Sequence, residues 1–239
     1  MIYLSTDKLK RANVLALLLG CLLMSSCGKG PIETRETNVT GGTVQVRGEV
    51  WADNWFAFYL GDEFVIEDSV PITTERSFNS ESFVFSGDYP LVLNFIVKDF
   101  KQNDSGLEYI GSRRQQIGDG GLIAQFTDAE TGELIAATNS DWQCYVLHEA
   151  PLDPNCAGQR NPQPGVGPCG FLEREEPTGW KMASFDDSSW QPVSEFSERE
   201  VRPKDGYDRI QWDRSAKLIW SSDLKLHNTV LCRLVINKP

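Results

Sequence analysis

The sequence predicts an all-β protein, a two-sheet jelly-roll β-sandwich with long loops. Short stretches rich in aromatic and β-branched residues alternate with turn residues about every ten positions, which is the spacing typical of sandwiches and barrels. No long segment beyond the N-terminal region carries apolar residues at the 3.6-residue period of an amphipathic helix. Several predicted strands are almost continuously apolar, which indicates strands that are covered on both faces.

The first half of the chain has the clearest strand signals. TVQVRGEV (residues 43–50) alternates apolar and polar residues, which predicts a strand with one solvated face. Residues 54–68 combine aromatic and β-branched residues around a Gly-Asp pair, which predicts a hairpin. Residues 77–100 predict two further strands that are joined at the Gly-Asp-Tyr-Pro turn, residues 87–90.

The second half continues the pattern around one large loop. Residues 120–150 predict strands joined by a tight turn at residues 130–132. Short strands are also predicted around Val193 and Ile210 and in residues 216–220 and 229–237. Between them lies a Pro- and Gly-rich segment that is bounded by cysteines. About 210 mature residues are enough for one large core, so we predict a single sandwich domain over residues 43–239.

The N-terminal 26 residues read as a targeting segment rather than as part of the fold. A basic start is followed by an apolar run and then by Ser-Ser-Cys. The apolar run is too short for a transmembrane helix. This ending resembles a bacterial lipoprotein signal, with Cys27 as the acylated residue and residues 27–42 as a polar tether. Cys21 is an alternative lipidation site, and an ordinary signal peptide with a secreted product is another. Acylation would anchor the protein to a membrane of the cell envelope.

The charge of the mature chain limits its partners. Removal of residues 1–26 takes away three basic residues and one acidic residue, so the formal net charge changes from -11 to -13. Nucleic acid and polybasic contacts with a membrane surface both need a basic footprint, so neither is expected. The partners that remain are polysaccharide, peptide or a divalent ion. The alternative is that the acidic charge only keeps the protein soluble.

The cysteine count predicts disulfides. Four cysteines remain after lipidation, and export places them in an oxidising compartment. Three pairings are possible. The short loop between Cys156 and Cys169 favours a bridge around it, which leaves Cys144 to pair with Cys232. Zinc is disfavoured, because no Cys-x-x-Cys pair is present and the two histidines lack metal-ligand spacing.

Three stretches carry a resemblance to a known family. ADNWFAFYLGDEF (52–64), GWKMASFDDSSW (179–190) and AKLIWSSDLKLHNTVLCR (216–233) resemble segments of galactose-binding-like jelly-roll domains. Such domains are appended to many bacterial glycoside hydrolases, and they include carbohydrate binders, adhesion modules and structural spacers. We expect this chain to depart from that pattern in three ways: it stands without an attached catalytic domain, it carries a cysteine-bounded insertion before Trp180, and its middle segment, residues 103–121, is unusually polar and Gly-rich.

The run Asp186-Asp187 invites two interpretations. General acid–base catalysis needs two carboxylates that face one bond, usually from different elements. Adjacent residues diverge instead, and Asp and Ser both bond nearby backbone N–H groups in turns. We therefore predict a capped turn that directs Trp190 into the core, which is also what the family resemblance implies.

A polar, Gly-rich middle segment supplies the candidate metal ligands. Four carboxylates lie within 21 residues, and hard cations such as calcium take oxygen ligands of this kind: Asp99, Asp104, Glu108 and Asp119. The resemblance adds weight, because domains of that family often hold a structural calcium. The spacing is not that of an EF-hand, and two nearby arginines would oppose a cation, so a solvated surface loop is the alternative.

Aromatic residues supply the candidate sugar-stacking surfaces. Four of them lie near predicted loops, where an exposed ring could stack on a sugar: Trp51, Trp55, Tyr109 and Trp142. Most aromatic residues in a sandwich belong to its core, which is the alternative for each of them.

No catalytic signature is present in the sequence. It has no Gly-x-Ser-x-Gly elbow and no phosphate-binding loop. We therefore predict a non-catalytic lipoprotein that binds carbohydrate at the cell surface. A structural module that docks another envelope protein is the alternative, and a hydrolase that uses carboxylates is a third possibility.

Overall fold

The computed structural model describes residues 32–238, and over these residues the protein is an all-β sandwich, as predicted. The candidate lipidation sites Cys27 and Cys21 lie outside the described residues. The strands are β1 (Thr34–Glu36), β2 (Val44–Asp53), β3 (Trp55–Leu60), β4 (Glu63–Glu67), β5 (Phe78–Gly87), β6 (Leu91–Lys98), β7 (Leu107–Glu108), β8 (Gln116–Ile117), β9 (Gly121–Asp128), β10 (Leu134–Ala137), β11 (Gln143–Glu149), β12 (Leu172–Glu173), β13 (Gln191–Pro192), β14 (Ser194–Phe196), β15 (Leu218–Trp220) and β16 (His227–Ile236).

Helical structure in these residues is short. The α-helix α1 spans Glu198–Val201, and 3-10 turns span Pro154–Gly158 and Tyr207–Arg209. None of the described helices has the length and apolar character that would carry it across a bilayer.

Two seven-stranded sheets form the layers of the sandwich. The first has the strand order β1-β5-β2-β9-β15-β14, with β10 paired to β9, and the second has the order β12-β11-β16-β6-β3-β4, with β13 paired to β11. A small β7-β8 ribbon lies outside both sheets. Strands β2, β6 and β16 are long and central. Apolar runs predicted β6 and β16, whereas the alternation of apolar and polar residues predicted β2.

An aromatic cluster fills the space between the sheets. The ring centroid of Phe58 lies 4.9 Å from that of Phe95 and 5.2 Å from that of Phe126, and Phe83 and Phe85 complete the group. All five side chains are buried. Aromatic pairs at these separations add about 0.5–1.5 kcal/mol each beyond the area that they bury.

Both sheets are also covered on their outer faces, as the continuous apolar strands predicted. On the second sheet, Trp180 and Trp190 pack against Leu231. On the first sheet, Trp51 packs in a separate cluster with Val201 of α1. The loops that follow β12 and β14 therefore complete the core as well as connecting strands.

The predicted tether is shorter than residues 27–42. Residues from Thr34 to Glu36 form β1, which pairs in parallel with β5, and Val39 is buried in the main core. Arg35 contributes an ion pair with Glu81 at 3.1 Å. The polar composition of this segment concealed an edge strand, since an edge strand keeps much of its surface in solvent.

Both predicted disulfides are confirmed. Cys144 and Cys232 occupy paired positions on β11 and β16, with Cα atoms 4.2 Å apart. Cys156 and Cys169 close the Pro- and Gly-rich loop, with Cα atoms 4.8 Å apart.

Candidate functional site

The predicted calcium ligands do not come together as one group. Asp99 and Glu108 are buried, whereas Asp104 is about half exposed and forms an ion pair with Lys101. Asp119 lines a different cavity beside Lys225. Among residues 32–238, no three His, Cys, Asp or Glu side chains converge as metal ligands would. Glu108 and Asp119 both raise the pKa of Asp99, so three of the four carboxylates are close enough to interact without forming a ligand set.

The same end of the sandwich holds a buried carboxylate that the sequence analysis missed. Asp53 ends β2 and is 1% exposed, and its Oδ2 atom has no hydrogen-bond partner among the described residues. The ammonium of Lys204 lies 4.0 Å from that oxygen. Burial is the largest cause that raises the pKa of Asp53 and of Asp99 well above the ordinary value. Lys204 opposes this rise at Asp53, whereas Glu108 and Asp119 add to it at both carboxyls, and Asp53 adds to it at Asp99. A buried carboxyl with a raised pKa stays protonated to a higher pH than an exposed one.

Two hydrogen bonds through Asn228 link Asp99 to His148. Asn228 donates from Nδ2 to Asp99 Oδ2 at 3.5 Å, and its Oδ1 lies 2.9 Å from His148 Nδ1. All three residues are buried. These hydrogen bonds lie inside the protein, so we infer that they stabilise this end of the sandwich rather than bind a ligand.

Two of the four aromatic candidates are excluded as sugar-stacking surfaces. Trp51 and Trp142 are 0% exposed and belong to the core clusters. Trp55 and Tyr109 remain partly exposed, but Lys98 lies over the first ring and Arg114 over the second. A sugar would have to compete with the cation for that face of each ring.

A different cleft has the features of a small-ligand site. It has a volume of about 440 Å³ and lies beside the paired strands β11 and β16; we name it the β11–β16 cleft. Its lining combines aromatic, charged and hydroxyl side chains, among them Tyr145, Glu149, Arg174, Gln191, Ser222 and His227. Ligand sites of this kind are concave and carry a few convergent polar groups.

An ion pair forms one wall of the β11–β16 cleft. Arg174 Nη1 lies 2.6 Å from Glu149 Oε1, and the same nitrogen donates to the carbonyl of Val146 at 3.3 Å. The backbone N–H of Arg174 donates to the carbonyl of Leu147 at 2.8 Å, which fixes the segment after β12 against β11. Both side chains are partly exposed, so the pair is held in place and still faces solvent.

A histidine stands directly across the strand pair from that wall. His227 begins β16, and its Cα partner in β11 is Glu149. Its Nδ1 lies 2.6 Å from the hydroxyl of Ser221. Burial is the main cause that lowers the pKa of His227, with Arg174 acting in the same direction and Glu149 opposing it. The imidazole is therefore neutral at pH 7, with one donor and one acceptor nitrogen.

An aromatic pair supplies the apolar part of the cleft. Tyr145 is partly exposed, and its ring centroid lies 5.5 Å from that of Trp190, which is 5% exposed. Trp190 in turn packs against Trp180 and Phe185. The predicted turn before Trp190 therefore has a second consequence, because it supports the aromatic floor of the cleft.

The sequence contained little that could identify these residues. Glu149 and His227 are 78 positions apart and meet only because β11 pairs with β16 in that register. Arg174 follows a two-residue strand that has no strong pattern of its own. The signal that could have found the site is a histidine just before a predicted strand, inside one of the stretches that carry the family resemblance.

Comparison with known proteins gives no further guide to the site. No family model, curated protein or solved structure matches this chain. What the β11–β16 cleft can bind therefore follows from its own side chains.

Proposed function

We propose that the protein is a non-catalytic lipoprotein of the cell envelope that binds carbohydrate in the β11–β16 cleft. The observation that carries the proposal is the juxtaposition of the Glu149–Arg174 ion pair, the neutral His227 and the partly exposed ring of Tyr145. The ion pair and the imidazole suit the hydroxyl groups of a sugar, and the tyrosine ring suits the C–H face of a sugar ring.

The polar groups suit hydroxyl-rich ligands. A sugar hydroxyl donates and accepts at once, and the cleft offers a guanidinium donor, a carboxylate acceptor and an imidazole within one cavity. Hydrogen bonds that involve a charged group are stronger than neutral ones. The ring of Tyr145 supplies an apolar surface for the C–H face of a sugar ring.

The cleft does not have the arrangement that glycoside hydrolysis needs. Retaining and inverting glycosidases place two carboxylates about 5–10 Å apart across the bond that is cleaved. Glu149 is the one carboxylate in the described lining of the β11–β16 cleft, and Arg174 already occupies one of its oxygens. This supports binding without cleavage.

The proposed location of the protein in the cell envelope is based on its sequence. The apolar N-terminal segment and Cys27 favour export and a lipid anchor, and the acidic mature chain favours a neutral ligand over an anionic one. A galactose-binding-like domain held on the membrane in this way would present its cleft to polysaccharide outside the cytoplasm.

A glycan array that is probed with residues 28–239 tests the proposal. We expect binding to at least one neutral glycan, and we expect the Arg174→Ala variant to lose most of that signal. A parallel array with a chelator tests the predicted contribution of calcium. Failure of the folded wild-type protein to bind any glycan would contradict the proposed function.

A further inference from the structure

We propose that Ser221 is a positioning residue that holds His227 in a single tautomer, with the proton on Nε2 and this N–H directed into the β11–β16 cleft. The cleft would then present a fixed donor beside the carboxylate of Glu149. The use of this donor in ligand binding rests on the proposed function, whereas the tautomer itself does not.

The contact between the two side chains is short and buried. The hydroxyl oxygen of Ser221 lies 2.6 Å from Nδ1 of His227, and the two residues are 2% and 8% exposed. The carbonyl of His227 accepts a hydrogen bond from the indole of Trp220 at 2.9 Å, which fixes the start of β16. The imidazole is therefore held both at its backbone and at one ring nitrogen.

The direction of the hydrogen bond follows from what else the hydroxyl can reach. Within residues 32–238, the side chain of Ser221 makes no hydrogen bond other than the one to His227. If Nδ1 carried the proton, the buried Ser O–H would have no acceptor. Unpaired donors are rarer in protein interiors than acceptors with an unused lone pair. The hydroxyl therefore donates to Nδ1, and the ring proton lies on Nε2.

The other ring nitrogen is free to meet a ligand. Nε2 of His227 has no hydrogen-bond partner in the described part of the chain, and it is not among the fully buried unpaired atoms, whereas Nε2 of His148 is. His227 lines the β11–β16 cleft, so this exposure is towards the cavity.

Charged groups of both signs act on the ring of His227. Glu149 and Asp223 are the acidic groups that act on the ring, and Arg174 is the basic one. Glu149 is the cross-strand partner of His227 and lines the same cleft. The ion pair with Arg174 partly offsets the effect of Glu149 on the ring, so the contact with Ser221 is what selects the tautomer.

This arrangement determines which hydrogen bonds a ligand oxygen in the cleft would make. An oxygen in the cleft could accept from His227 Nε2 while the hydroxyl that bears it donates to Glu149, which is a pattern that a hydroxyl satisfies and an ether oxygen does not. Protonation of the ring leaves Nε2–H in place, so this contact should survive a moderate fall in pH. With the opposite tautomer, Nε2 would change from acceptor to donor on protonation and the contact would be lost.

Long-range ¹H–¹⁵N correlation NMR of the ¹⁵N-labelled protein tests the tautomer directly. The chain has two histidines, so the spectrum contains two imidazole patterns, and the His227→Gln variant assigns them. We expect wild-type His227 at pH 7.5 to show the pattern of the Nε2–H form. The pattern of the Nδ1–H form in the wild-type protein would overturn the proposal, and this result does not depend on any variant being folded.

The Ser221→Ala variant tests whether Ser221 is the cause. We expect His227 to become a mixture of tautomers, while the pattern of His148 is unchanged and reports that the fold is intact. An unaltered single tautomer in a folded Ser221→Ala protein would overturn the role of Ser221. If His148 also changes, the Ser221→Gly variant, which likewise removes the hydroxyl, replaces it, and the same two outcomes apply.

The consequence for binding is measured with a glycan identified on the array. We expect Ser221→Ala to weaken its binding about five-fold, the equivalent of one neutral hydrogen bond of about 1 kcal/mol. If no glycan binds and the Nε2–H tautomer is nevertheless observed, the proposed function fails while the positioning of His227 by Ser221 stands.

Discussion

The carboxylate of Asp187 forms an ion pair with the guanidinium of Arg233, and this pair fastens the turn before Trp190 to the last strand of the sandwich. Arg233 is 1% exposed, and its Nη2 also donates to the carbonyl of Met182 at 3.1 Å. The neighbouring Asp186 instead accepts from the backbone N–H of Ser188 at 3.0 Å. The two aspartates therefore face different partners and form a turn, not a catalytic pair.

These adjacent aspartates should differ sharply in their effect on stability. Asp187→Ala leaves a buried guanidinium without its anion, so we expect the free energy of unfolding to fall by about 2–4 kcal/mol. Asp186→Ala removes a solvent-exposed turn contact, and we expect little change. Urea unfolding monitored by tryptophan fluorescence measures both. Equal losses in the two variants would show that the ion pair is not what holds the turn.

The bridge between Cys156 and Cys169 should stabilise the protein through the loop that it closes. The two positions are 13 residues apart, and a loop of this length corresponds to about 3 kcal/mol in the chain-entropy account. We expect the double Cys→Ala variant to lose about that much in urea unfolding. Both sulfurs also pack beside Leu107, so a smaller packing loss adds to it. A variant as stable as wild type would mean that the loop is ordered without the bridge.

The stability of the protein should fall as the pH rises from 6.5 to 8. Asp68 is buried with Oδ2 unpaired, and burial raises its pKa to about 7. Because this folded-state pKa lies above the unfolded value, the stabilisation is complete below about pH 4 and is lost as the pH rises through 7. Glu108, whose pKa burial also raises to about 7, acts with the same sign. For Asp68 alone we expect a loss of about 1 kcal/mol over this range.

Asp68→Asn isolates that effect. An amide of the same shape cannot ionise, so we expect the variant to be more stable than wild type at pH 8 and to show a shallower pH dependence in thermal unfolding. His148 and His227 have lowered pKa values, so they act in the opposite sense at the acidic end of this range. They act equally in both proteins, so the difference between wild type and variant isolates Asp68. A pH profile that is the same in both proteins would contradict the assignment to Asp68.

The lipid anchor is tested by two serine substitutions. We expect Cys27→Ser to abolish acylation and to release the protein from membranes, whereas Cys21→Ser should leave it attached. Membrane fractionation of expressing cells, with detection of the released protein, measures both. Release by Cys21→Ser alone would move the lipidation site to Cys21.

The fold was predictable from the sequence to a greater extent than the site was. Strand pairs such as β3–β4 are local, and their alternation and turn residues appear directly in the sequence. The bridge between Cys144 and Cys232 was predictable by elimination once the short loop had been paired. Strand β1 was missed because a polar edge strand resembles a tether.

The candidate site depended on contacts that no local pattern encodes. The aromatic candidates were chosen for their closeness to loops, but Trp142 donates its indole N–H to the carbonyl of Ala137 and lies wholly in the core. Glu149 was not predicted as a site residue, because its role depends on the β11–β16 register and on Arg174, which lies on a separate loop. Long-range register is set by packing of the whole sandwich, and a single sequence does not display it.

The central claim is that the β11–β16 cleft binds carbohydrate, and calorimetric titration of a glycan from the array tests it most directly in three proteins. Wild type should bind. Glu149→Gln should bind at least about ten-fold more weakly, because a charged hydrogen-bond partner is lost. Glu173→Gln, a matched change at an exposed position outside the cleft, should bind as wild type does. Equal affinities in all three proteins would place the ligand elsewhere and contradict the claim.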